Sequence, residues 1–232
     1  MLTWSDSRNF GRTLAALSLF ITPLLLLAAA LIGPDLGDNA KDEIAKIADN
    51  EEAYVCSGIL FLFAPLVLVP GMLGVIRLMR RRGVTLGQVG AALIMMGALI
   101  TIAFYGWGAI EYVASTEKGL DHGQMAQLFD AAEDSWIGVP VFVPGFILGL
   151  TLGSILLAIA LWRSGVVPVW SPIALLLSTV IDFVGDDKWF MAIGFALLFV
   201  ALLPLGQKIL SISNDEWDRW ELEARLAASL VS

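Results

Sequence analysis

Few side chains in this sequence have the chemistry to bind or to catalyse. Glu111 follows Tyr105, Gly106 and Trp107, with Tyr112 beside it, while Asp182 precedes Asp186, Asp187 and Lys188. His122 is the single histidine. Two carboxylates and an imidazole can hold a divalent cation or act as acid and base, and Tyr105 and Trp107 would add an aromatic wall to a ligand site at Glu111 and Asp182. A simpler reading is also open, in which the carboxylates reach water or Lys188 and the histidine is solvated. No catalytic set is complete, so the sequence leans away from an enzyme and predicts neither a metal nor a cofactor. It has no phosphate-binding glycine loop, no paired histidines for haem, no His-Glu-x-x-His helix and no Gly-x-Ser-x-Gly elbow.

The elements that must position these groups are apolar. Of 232 residues 58% are hydrophobic and 16% charged, with a mean hydropathy of +0.80, too apolar for a soluble domain. Six uncharged runs cover 13 to 34, 53 to 76, 83 to 110, 135 to 162, 164 to 181 and 189 to 207. About 20 apolar residues cross a bilayer core, so each run can span once, the fifth only just. The Ala28-Ala29-Ala30 triplet imitates a signal-peptide cleavage site, but the first run is long for one, and an uncleaved first helix is expected.

Charge orients the spans. Residues 33 to 53 and 111 to 136 each carry a net −5, whereas Arg77, Arg80, Arg81 and Arg82 put +4 into one short loop. Basic short loops stay cytoplasmic, so the arginines face inward and the acidic segments outward. The fold class predicted is all-α, a six-transmembrane-helix bundle with both termini cytoplasmic, spanning 1 to 211, followed by an interfacial amphipathic helix over 212 to 232. Topology alone explains the arginines, so no nucleic acid is expected as a partner.

The loops have structure of their own. Asp121 and Gln124 form a capping-box-like start before Met125, Leu128, Phe129 and Ala132, and residues 39 to 49 place Ile44, Ile47 and Ala48 on one side. Two short amphipathic helices should therefore lie across the outer mouth. Asn214 is the expected cap of the tail helix, whose Trp217 and Trp220 favour one face.

Within the fourth run Gly145, Gly149 and Gly153 recur every four residues, a face where a neighbouring backbone can come close. That face either seats the second or fifth span inside one bundle or joins two copies of the chain. Pro65, Pro70, Pro140 and Pro144 should kink the second and fourth spans and turn their freed carbonyls inward, beside a cavity. Val69-Pro70-Gly71 is echoed by Val143-Pro144-Gly145, which suggests matching hairpins or coincidence in an apolar background. Mid-span hydroxyls such as Ser18, Thr22, Thr101, Thr151 and Ser154 can bond back to their own helices. No run holds an ionisable group near its centre, which disfavours an ion-coupled pump. Cys56, the one cysteine, is expected to be a small buried side chain.

The turn Trp162-Arg163-Ser164-Gly165-Val166-Val167-Pro168-Val169-Trp170 resembles one common in small bacterial multi-helix membrane families of unassigned activity. The resemblance implies a multi-pass protein of a bacterial cell membrane and supplies no substrate. The function expected is a non-enzymatic scaffold, accessory subunit or sensor, with the lipid bilayer and a membrane protein or second copy as partners. The alternative is a carrier or binder of a small apolar or lipid-like ligand beside the kinked second and fourth helices.

Overall fold

The computed structural model describes residues 7–36, 40–79, 83–117, 119–133, 147–181, 184 and 187–217. These are helical, with no strand among them. In order they form α1 (Ser7–Ile32), α2 (Ala40–Asp49), α3 (Glu51–Leu78), α4 (Val84–Thr116), α5 (His122–Glu133), a π-helical stretch (Ile147–Leu152) running into α6 (Gly153–Ser164), α7 (Trp170–Ile181) and α8 (Lys188–Ser211).

Six of these helices close a ring in chain order. α1 packs on α3, α3 on α4, α4 on the π-helical stretch and α6, α6 on α7, α7 on α8, and α8 returns to α1. Short connections such as Met79–Gly83 and Gly165–Val169 make neighbours antiparallel. Both turns begin or end on a left-handed glycine, Gly83 at φ +74° and Gly165 at φ +62°, a conformation that a side chain would strain. Leu19, Met72, Val75, Leu157, Leu161 and Leu205 fill the centre as one core shared by the ring.

The surface is the reverse of a soluble bundle. Along α1 the small Ala15, Ala16, Ala29 and Ala30 point inward, while Leu14, Leu17, Ile21, Leu24 and Leu31 are exposed at helical spacing. α7 repeats the pattern, with Ser171, Ala174 and Ser178 buried and Ile173, Leu177 and Val180 exposed. Water would penalise that arrangement, whereas lipid is indifferent to which face carries the leucines and rewards close packing of small residues.

Five helices are long and apolar enough to cross a membrane: Asn9–Ile32, Glu51–Leu78, Val84–Ile102, Ile147–Ser164 and Lys188–Ser211. The fifth predicted run yields only the 12-residue α7, about 18 Å long against a hydrocarbon core of about 30 Å. Its shortness has a local cause. Residues Gly165 to Val169 are spent on the turn, and Pro168 directs its carbonyl to the Ser171 amide at 3.0 Å to start the helix. α4 errs the other way, since its 33 residues reach about 50 Å and carry its last turns well past a hydrocarbon core.

The two short amphipathic helices expected between the spans form, and they do more than shield helix ends. Asp121 Oδ1 accepts the Gly123 and Gln124 amides at 2.8 and 3.2 Å, capping α5. Ile44 of α2, Ala126 of α5 and Ala114 of α4 make a second, smaller core on the projecting end of α4. The expected apolar face of α5 is thus shifted, with Met125 and Ala126 turned inward and Leu128 exposed.

Candidate functional site

The cluster around Glu111 is built where the first turn of α3 meets the last turns of α4. Tyr54 donates its hydroxyl to Glu111 Oε2 at 3.1 Å and lies 3.2 Å from the Gly108 carbonyl oxygen. Its ring is parallel to that of Tyr112, with centroids 6.4 Å apart. A side chain at Gly108 would place its Cβ 3.0 Å from the Tyr54 hydroxyl, so the glycine makes room for this contact. Glu111 is therefore half-buried and engaged by a tyrosine that the sequence reading did not select. The clue was present: Tyr54 begins one apolar run and Glu111 ends the next, and antiparallel neighbours bring those two ends together.

The other predicted members do not join it. His122 is exposed at the start of α5. Asp182 and the side chains of Tyr105 and Trp107 lie outside the described residues. Asp187, which follows Asp182 in the sequence, caps α8 by accepting the Trp189 and Phe190 amides at 2.7 and 3.1 Å, and Lys188 lies over the Trp189 ring at 5.7 Å. Among the described residues no group of three or more His, Cys, Asp or Glu could hold a metal ion.

A broadly open depression of about 670 Å³ lies at the joint of α1, α2 and α3, lined by Ile32, Asp49, Asn50, Glu51, Glu52 and Cys56. Three carboxylates make it acidic. Cys56 is exposed there, which corrects the expectation of a buried thiol: it sits on the side of α3 turned away from the ring. Pro65 is buried and Pro70 half-buried within the continuous α3, and Pro140 and Pro144 lie outside the described residues.

The glycine face is internal, and its neighbour is α4 rather than the second or fifth span. A Cβ at Gly149 would lie 2.5 Å from the Gly97 Cα, and one at Gly153 would lie 2.9 Å from the Ile94 nitrogen and 3.0 Å from the Gly90 oxygen. Gly90 and Gly97 answer from α4, so backbone meets backbone along the seam. Gly145 lies outside the described residues. Of the hydroxyls, Ser18 and Thr101 bond back to Leu14 and Gly97 at 2.7 and 2.9 Å. The Thr22 oxygen is buried without a partner. Ser171 instead reaches across to the Ala201 carbonyl of α8 at 2.7 Å.

The opposite end holds a second constellation. After α8 the chain turns at Ile212, and Ser213 rather than Asn214 caps the next turn by accepting the Glu216 amide at 3.2 Å. Trp217 is 4% exposed, and the Arg77 guanidinium sits 5.1 Å from its ring centroid. Arg12, 9% exposed, donates to the Ile212 carbonyl and to Asn9 Oδ1 at 3.3 Å. Arg77 therefore does more than mark topology. Arg80, Arg81 and Arg82 lie outside the described residues.

Apolar helices with lipid-type exposure, a filled centre and charged groups gathered at the ends of the helices define a multi-pass helical membrane protein. Residues 13–186 match the family described as a domain of unknown function, DUF4386; the match covers three quarters of the sequence, and the chain belongs to that family. The match ends before α8 and the turn that follows it. No curated protein and no solved structure matches the chain.

Proposed function

We propose that the chain is a non-enzymatic protein of a bacterial cell membrane, crossing it six times with both termini cytoplasmic, and acting as a scaffold, accessory subunit or sensor. The observation that carries this reading is where the charged groups stand. The ring interior is packed with aliphatic side chains and a backbone seam, while the described polar constellations are held at the rims by hydrogen bonds and ring contacts. Such a body presents surfaces rather than a reaction chamber. Its outer surface is acidic and its tail is tied to the inner rim, so a membrane protein or a second copy is the partner this surface suits. The inner glycine seam is already occupied by the chain itself, which moves any dimer contact to another face.

Native mass spectrometry of the protein released with its own lipid tests this reading. A second polypeptide at fixed stoichiometry is the expected result. A lone chain carrying only lipid would overturn it, and a lone chain retaining one apolar small molecule would favour the ligand-carrier alternative.

A further inference from the structure

The segment Ile212–Trp217 is short, yet two arginines from different helices hold it. Arg12 of α1 donates to the Ile212 carbonyl, and Arg77 of α3 covers the Trp217 ring at 5.1 Å. The indole is received where α1, α3 and α8 converge: a Cβ at Gly74 would lie 2.7 Å from Ala15 Cβ, 3.0 Å from Ile209 Cδ1 and 3.7 Å from the Trp217 ring. Gly74 thus forms the floor of a socket for the indole edge. Between the two anchors, Asp215 and Glu216 are exposed.

The geometry points to a latch at this rim that opens in response to anionic lipid. An arginine at a membrane surface is drawn by the net negative potential of an anionic leaflet, a field that a zwitterionic leaflet lacks although phosphates are present in both. The acidic turn carrying Asp215 and Glu216 is repelled by the same net negative potential. An anionic leaflet therefore pulls Arg77 away from the strap while pushing the strap away from the leaflet. In a zwitterionic leaflet no net field drives either displacement, and the cation–π contact together with the seat of the indole on Gly74 keeps the strap closed. The inference rests on the chain spanning a bilayer and is independent of whether it has a protein partner.

Hydrogen exchange on the full chain in nanodiscs tests it, because closure protects the Trp217 amide, which donates to the Ser213 carbonyl at 2.9 Å. Nanodiscs of phosphatidylcholine are compared with nanodiscs that also contain phosphatidylglycerol. Exchange of the Glu216 and Trp217 amides should be about tenfold faster with the anionic lipid, with Ala201 to Ile209 of α8 unchanged. Arg77→Gln should exchange fast in both lipids and lose the difference between them. Arg77→Lys, which keeps the charge without the flat guanidinium, is the second variant should the first fold poorly, and it should raise exchange in phosphatidylcholine. Equal rates for the unaltered chain in the two lipids, a lipid response that survives both substitutions, or α8 accelerating in step with the strap would each overturn the latch.

Discussion

Replacing Gly97 by alanine puts the seam between α4 and the π-helical stretch to a quantitative test. The added Cβ would stand 2.8 Å from the Leu150 nitrogen, 2.9 Å from Leu150 Cγ and 3.0 Å from the Gly149 carbonyl carbon. Two of those three atoms are backbone, so no side chain can rotate away to absorb the clash. Ordinary contact begins near 3.4 Å, and the π-helical stretch must retreat by about 0.6 Å over several residues packed in the same way. Overpacking of this kind costs about 1–3 kcal/mol, offset in part by the gain of up to about 1 kcal/mol from alanine over glycine within a helix. A net loss of about 1–2 kcal/mol is expected. Gly58→Ala is the control, since nothing lies within 4 Å of its Cβ, and it should be neutral or stabilising. Unfolding titrations in mixed micelles measure both. Equal stability of the two variants would refute the backbone seam.

Three smaller changes probe the rims and the ring closure. Asp187→Ala should destabilise α8 by about 1 kcal/mol through loss of its cap, with Asp187→Asn restoring most of it in the same titration. Tyr54→Phe should cost about 0.5–1.5 kcal/mol by releasing Glu111, and Glu111→Gln in that background should cost little more, as a double-mutant cycle would reveal. Ser171→Ala removes the hydroxyl joining α7 to the Ala201 carbonyl and should lower stability by about 0.6–2 kcal/mol, read as a shift in thermal unfolding.

Composition and charge revealed the class of this protein because both are sums over long segments. The runs of uncharged residues overlap α1, α3, α4 and α8, and the fourth overlaps the π-helical stretch and α6 from Ile147 onward, while the capped start of α5 was legible from Asp121 and Gln124 and α2 from the spacing of Ile44 and Ile47. Adjacency was not legible. Gly149 and Gly153 announce a close neighbour without saying which, although Gly83, Gly87, Gly90 and Gly97 repeat at helical spacing in the third run and identify that neighbour once the two sets are matched. The length of α7 was misjudged because an uncharged run counts turn residues as helix, and Pro168 was the sign that it should not. The site around Glu111 suffered from the same difficulty at smaller scale. Glu111 was recognised as unusual by its charge near an apolar helix end, but its partner Tyr54 lies 57 positions away, and spacing within one helix cannot reveal a contact between two. Trp217 was assigned to an interface on the strength of its spacing, whereas the Gly74 socket that buries it is visible only when three helices are packed together.

The six-crossing ring depends most on α7, the shortest member, and one labelling experiment decides it. In a Cys56→Ser background, Val169→Cys and Val184→Cys place thiols at the two ends of α7, where the native valines are 56% and 61% exposed. A membrane-impermeant maleimide is applied to intact cells expressing each variant, and then again after permeabilisation. If the chain crosses six times, Val184→Cys labels in intact cells and Val169→Cys labels only after permeabilisation. Labelling of both in intact cells, or of neither, would place the ends of α7 on one side of the membrane and contradict the account.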